Sequence, residues 1–174
     1  MSHSLFVLGG ARSGKSRYAQ QRAEELAGRH FYVATAQVWD EEMRARVELH
    51  QADRDGRWST IEAPLLLAET IGLLSAPDSV VLVDCLTLWA TNLLLQEEGG
   101  QEADILSATG GLCAAIGAFE GALVLVSNEV GYGIVPENAL ARRFRDEAGR
   151  INQAVAAACA EVMLVAAGLP LRLK

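Results

Sequence analysis

Short apolar runs alternate along the chain with longer amphipathic stretches. Leu5–Leu8, His30–Thr35, Ser79–Val83, Leu123–Val126 and Val162–Val165 are compact runs of the kind buried strands show, and Trp58–Ile61 is a shorter one. Between them the apolar positions take a helical spacing. Ser16–Ala27 reads as a helix stopped by Gly28. Asp40–Asp53 is highly charged, with Met43 and Val47 on one face and Asp40 placed to cap it. Leu65–Leu74, Thr87–Gln96, Ile105–Phe119 and a long stretch from Asn138 to Glu161, weakened by Gly149, read as further helices. Glu97–Gln101 and the glycine-bearing Val130–Pro136 read as loops, and Leu169–Lys174 as the closing edge of the sheet. Strands that alternate with helices predict βαβ units and one mostly parallel sheet.

Length and composition narrow this. At about 150 residues per domain, 174 residues make one domain. Hydrophobic residues at 51% and charged residues at 21% are a globular composition. Lys and Arg number 15 against 22 Asp and Glu, and the net charge of −7 argues against a nucleic-acid partner held by phosphate neutralisation. Cys85, Cys113 and Cys159 show neither metal-ligand nor redox spacing and read as thiols in a reducing compartment. The apolar run before Gly9 is too short for a signal peptide. The run Val162–Leu171, interrupted by Gly168 and Pro170, is too short to span a bilayer. The expectation is a cytoplasmic protein without membrane insertion.

The chemistry begins at Gly9-Gly10-Ala11-Arg12-Ser13-Gly14-Lys15-Ser16, which matches G-x-x-x-x-G-K-[ST] between a predicted strand and a predicted helix. Glycines there let backbone N–H groups turn toward phosphate oxygens, and the helix N-terminus adds a favourable dipole. Lys15 is placed for the β- and γ-phosphates and Ser16 for Mg²⁺. A carboxylate near the metal is expected at the end of an apolar strand. Asp84 after Ser79–Val83 fits this better than Glu129 after Leu123–Val126, and both acids stay in play. These features specify a Mg-nucleotide site, not a reaction.

The phosphate loop, Val83-Asp84-Cys85-Leu86-Thr87-Leu88-Trp89, Thr91-Asn92-Leu93-Leu94 and the block Ser127–Pro136 carry a closer likeness. So do Arg143-Phe144-Arg145-Asp146, Gly149-Arg150 and Asn152-Gln153. Together they resemble the bifunctional adenosylcobinamide kinase/adenosylcobinamide-phosphate guanylyltransferase family of cobalamin assembly, over nearly the whole chain. The resemblance implies an α/β P-loop NTPase (RecA-like) fold, a three-layer sandwich with a mostly parallel central sheet, and a homotrimer.

It further implies two reactions. ATP or GTP phosphorylates adenosylcobinamide, and GTP then gives GMP to adenosylcobinamide phosphate through a covalent GMP-histidine. The matching histidine is His50, on the helix after the second strand; His3 and His30 do not fit that place. A histidine nucleophile divides one displacement into two easier ones, and an unperturbed imidazole, with a pKa of about 6.5, is mostly neutral near pH 7.5. On a helix, Arg46 and Asp53 share a face with His50, where Arg46 could hold phosphate and Asp53 orient the ring, or both could be ordinary solvated charges. The resemblance places guanine-nucleotide contacts at Ala34-Thr35-Ala36, Gln51-Ala52-Asp53-Arg54, Glu62 and Asp84. Arg12 or one of Arg142, Arg143 and Arg145 could add charge to the transition state. The competing readings are a P-loop small-molecule kinase without a covalent histidine, and a nucleotide-dependent switch.

Overall fold

The computed structural model describes residues 3–36, 56–100 and 104–174. The helix expected over 40–53, and His50 with it, lies outside the described residues. In chain order the elements are β1 (His3–Gly9), α1 (Lys15–Glu24), β2 (Arg29–Ala34), β3 (Trp58–Glu62), α2 (Leu67–Leu73) and β4 (Ser79–Asp84). They continue with α3 (Leu86–Glu98), α4 (Ile105–Ala118), β5 (Ala122–Asn128), α5 (Ala139–Ala158), β6 (Glu161–Ala166) and β7 (Leu169–Arg172).

The strands form one seven-stranded sheet in the order β3-β2-β4-β5-β1-β6-β7. Every pairing is parallel except β6 with β7. The central strands carry near-continuous apolar residues because both of their faces are covered. Alternation along them divides the core in two. Phe6, Val81, Val83, Leu123, Leu125 and Val162 join α2, α3, α4 and α5 on one face. Leu5, Val7, Val80, Leu82, Val124 and Val126 meet α1 on the other. The result is the expected three-layer α/β arrangement. On the larger face Trp89 is fully buried, and its indole N–H donates to Leu65 O at 2.9 Å. On the other face α1 meets the sheet through Ala19 and Ala23, one turn apart and both fully buried, which lets its backbone come close.

Three boundaries differ from the sequence reading. Helix α1 stops at Glu24 rather than Ala27, leaving Leu26 exposed before the chain turns into β2. Helix α5 stops at Ala158, and Glu161 instead opens β6, where Arg22 of α1 holds its carboxylate at 2.9 Å. Helix α3 runs through Glu97 and Glu98, residues read as loop, because Arg143 of α5 pairs with both, at 2.6 and 3.3 Å. Helices α4 and α5 are capped at their starts by Asp104 and Asn138, which accept from Ser107 N at 3.1 Å and Ala141 N at 3.0 Å. Cys85 and Cys159 are buried, and burial pushes their thiol pKa values up to about 11 and about 12; Cys113 is half-buried and shifted the same way. Among the described residues no helix is long and apolar enough to cross a membrane.

Candidate active site

Parallel strands bring their carboxyl ends to one edge, and most of the expected site residues gather there. Ala34 at the end of β2 stands in register between Glu62 of β3 and Asp84 of β4. Asp84 is level with Val126 of β5, and Gly9 of β1 is level with Asn128. Strand β5 therefore separates the phosphate-loop strand from the strand that ends in Asp84.

The loop 9–16 has the backbone its motif requires. A Cβ on Gly9 would run into Ser13 Oγ and into Val165 O at 2.6 Å, so no side chain fits there. Gly14 precedes α1 with φ 93°, and a Cβ on it would stand 3.3 Å from Gly168 Cα. Arg12 also lies in the left-handed region, at φ 55°. Left-handed residues within a tight turn aim successive N–H groups into one concavity, which is how such loops take anions. The β6–β7 hairpin braces the loop from outside: Gly168 N donates to Ser13 O at 2.8 Å. Its turn, Ala167-Gly168, has positive φ at both residues, as a two-residue hairpin of this type needs. Lys15 Nζ reaches back to Gly10 O at 3.3 Å, over the concavity. Ser13 Oγ is buried without a partner among the described residues.

No group of three metal-binding side chains occurs among the described residues. A P-loop magnesium does not need one, because a hydroxyl, a carboxylate, phosphate oxygens and water complete its six oxygen positions. Ser16 in the first turn of α1 and Asp84, half-buried at the end of β4, provide that hydroxyl and carboxylate, so the donor set fits.

Thr35 is present at the edge but is fully engaged within the protein. Its hydroxyl accepts from Cys85 N at 2.9 Å and donates to Cys85 O at 2.7 Å, and its carbonyl accepts from Asn92 Nδ2 at 2.8 Å. The same Asn92 amide donates to Pro64 O at 2.9 Å. Thr35 and Asn92 thus fasten the ends of β2, β3 and β4 together. A similar clasp holds β5: Thr87 Oγ1 accepts from Asn128 N at 2.8 Å, and Asn152 Nδ2 donates to Asn128 O at 3.2 Å. Sequence reasoning gave Asn92, Thr87 and Asn152 no role. The available signal was a polar residue within an otherwise buried helix face.

Glu62 is exposed at the end of β3, open to a ligand. Glu129 is half-buried, and burial pushes its carboxyl pKa up while a hydrogen bond from Asn152 opposes the shift. Arg142 and Arg145 are engaged by backbone carbonyls. Arg142 donates to Pro136 O and Glu137 O, and Arg145 to Gly131 O, so both hold the loop after β5. Of the chain's three histidines, His3 opens β1 at the opposite edge. His30 is buried near the start of β2, its ring nitrogens 3.1 Å from Gly28 O and Ala23 O. His50, Gln51, Ala52, Asp53 and Arg54 lie outside the described residues.

Comparison with solved structures supports the fold. An ATPase of a type III secretion system matches 98% of this chain and 56% of its own, with a TM-score of 0.58 at 11% identity. The P4 protein of bacteriophage phi6, in complex with ADP, matches 97% of this chain and 52% of its own, with a TM-score of 0.50 at 18% identity. Sequence similarity is far closer to two named enzymes of cobalamin biosynthesis. The bifunctional adenosylcobalamin biosynthesis protein CobP of Pseudomonas aeruginosa is 46% identical over 97% of this chain and 95% of its own. The bifunctional CobU of Escherichia coli K12 is 43% identical over 98% of this chain and 99% of its own. A family model matches residues 5–173, from within β1 to just past β7. A phosphate loop on a P-loop sheet and a match along the entire described site lead to one conclusion: the chain belongs to the cobinamide kinase/cobinamide phosphate guanyltransferase family, whose members are kinases and nucleotidyltransferases.

Proposed function

We propose that this chain phosphorylates the alcohol of adenosylcobinamide with ATP or GTP and then transfers GMP from GTP to adenosylcobinamide phosphate by way of a GMP-His50 intermediate. The carrying observation is the loop 9–16, shaped to receive a triphosphate, in a chain that matches the family from residue 5 to residue 173.

In the first reaction the loop amides and Lys15 bind the phosphates, so catalysis is mostly positioning and charge neutralisation. Gly9, Gly10, Ala11, Arg12, Ser13 and Gly14 provide the cradle. Ser16 and Asp84 hold Mg²⁺, which when bound neutralises charge on the phosphate oxygens. In the second reaction the neutral imidazole of His50 attacks the α-phosphorus of GTP, the bond to the bridging oxygen breaks, and pyrophosphate leaves. The phosphate of the corrinoid then displaces His50 from the GMP phosphorus. Ala34, Thr35, Ala36 and residues 51–54 line the nucleotide, and Thr35 also ties the end of β2 to the end of β4. Glu62 accepts from guanine N1–H and its exocyclic amine, which favours GTP in this step. One catalytic domain serves both reactions, as a homotrimer in the cytoplasm.

GTP labelled at the α- or the γ-phosphate tests this directly. The expected result is α-label on the denatured protein, acid-labile and alkali-stable, with no γ-label. His50→Asn should abolish it and leave γ-phosphoryl transfer to adenosylcobinamide intact. Unchanged guanylyl transfer in that variant would overturn the role of His50.

A further inference from the structure

We propose that Glu129 accepts the proton of the acceptor alcohol in the phosphoryl-transfer step. The assignment rests on the reading above that an alcohol attacks the γ-phosphorus.

Topology places Glu129 beside the phosphates. Strand β5 lies between β1 and β4, so its carboxyl end opens between the phosphate loop and Asp84. Glu129 is the first residue beyond β5, and its N–H donates to Gly9 O at 3.1 Å. Its backbone is thereby tied to the residue that begins the phosphate loop.

Strand alternation then decides the side. Asp84 continues the parity of Val80 and Leu82, which face α1. Glu129 continues the parity of Leu123 and Leu125, which face the four helices, and on that side it meets Asn152 of α5. The two carboxylates at this edge therefore face opposite sides of it. Phosphoryl transfer needs the attacking and leaving oxygens roughly in line, on opposite sides of the phosphorus. A nucleotide whose phosphates sit on the α1 terminus leaves the far side for the acceptor, and Glu129 stands there.

The carboxylate is also held and unspent. Thr87 and Asn152 fix the neighbouring peptide at Asn128, and no ion pair engages Glu129 among the described residues. Asn152 Oδ1 is buried with no partner among those residues, a free acceptor next to it. Burial without a countercharge makes the carboxylate a stronger proton acceptor than one in water.

In the step itself, the acceptor oxygen bonds to the γ-phosphorus and the bond from that phosphorus to the β,γ-bridging oxygen breaks. The nucleoside diphosphate leaves, and the hydroxyl proton passes to Glu129 and from there to solvent. Glu129→Gln keeps the shape and removes the proton acceptor. Its kcat for adenosylcobinamide phosphorylation should fall about 10²-fold or more, with its Kd for GTP within twofold of wild type. Glu129→Asp should recover part of the rate. A Gln variant with kcat within threefold of wild type, or one whose GTP binding falls as far as its kcat, overturns the assignment; the latter would make Glu129 a nucleotide or metal group. A wild-type chain that moves no γ-phosphate to the alcohol overturns the kinase reading and this assignment together, and shows it before any substitution is made.

Discussion

At the amino-terminal edge of the sheet, polar groups are matched to one another, whereas at the carboxyl-terminal edge several are left waiting. The first edge holds the Arg22–Glu161 pair, with Tyr18 as a second partner of Arg22, and the Arg29–Asp78 pair. It also holds Ala160 N, which finds Ser4 Oγ at 2.9 Å, with Ser79 Oγ as an exception that lacks a partner. The second edge has two buried oxygens without partners, on Ser13 and Asn152, a left-handed Arg12, and a carboxyl at Glu129 whose pKa burial pushes up. Matched groups favour the folded chain alone. Unmatched ones cost stability of order 1–3 kcal/mol each, and such costs are met where a ligand completes the arrangement. The contrast separates the working edge from the structural edge within one sheet.

The contrast can be broken by substitutions at both edges. The largest effect is expected at Lys15, whose ammonium group makes a single contact within the described structure, to Gly10 O. Lys15→Ala should lower the phosphorylation rate by about 10²–10³-fold, while a urea melt keeps its midpoint. A large fall in the midpoint would make Lys15 a structural residue and remove the contrast. An intermediate effect is expected at Thr35, a matched group on the edge that also holds the unmatched ones. Thr35→Val strands the buried Cys85 N–H, while the Cys85 carbonyl keeps Trp89 N as a partner, and should cost about 2 kcal/mol, read as a lower urea midpoint at unchanged slope.

The smallest effect is expected at the amino-terminal edge, where Glu161→Gln breaks the pairing with Arg22. A partly exposed pair of this kind is worth about 1 kcal/mol or less, and nucleotide transfer should be unaffected. The hydrogen bond from Arg22 lowers the pKa of Glu161 below its ordinary value. A carboxylate of this sort stabilises the fold above its unfolded pKa of about 4.3 and loses that contribution as pH falls through the lower folded value. The difference in urea midpoint between wild type and Glu161→Gln should therefore be full at pH 7 and vanish at the acid end. A difference independent of pH would assign the loss to packing instead.

Much of this arrangement could be read from the chain itself. Leu5–Leu8 followed by Gly9–Ser16 and a helical spacing fixed a phosphate loop, because turn, strand and helix signals are local. Apolar runs located the parallel strands for the same reason. Helix ends were less legible: Glu97 and Glu98 look like a loop beside two glycines, yet they are helical and pair with a distant Arg143. The clasps made by Asn92, Thr87 and Asn152 were opaque, since each joins segments dozens of residues apart. Nor does any local pattern reveal that β5 enters between β1 and β4, although this insertion gives Glu129 its neighbours. The bonds that tie Thr35 to Cys85, Asn92 and Asp84 were equally opaque, since they too join distant segments.

The brace that Gly168 places on Ser13 also carries a consequence for timing. The phosphate loop at residues 9–16 is synthesised well before Gly168, yet its strand is flanked by β5 and β6, and its outer support belongs to the β6–β7 turn. At about 5–20 residues per second, many seconds separate synthesis of the loop from synthesis of what shapes it. A nascent chain shorter than residue 168 should thus bind no triphosphate, and nucleotide capture should report completion of the whole sheet rather than of its opening motif.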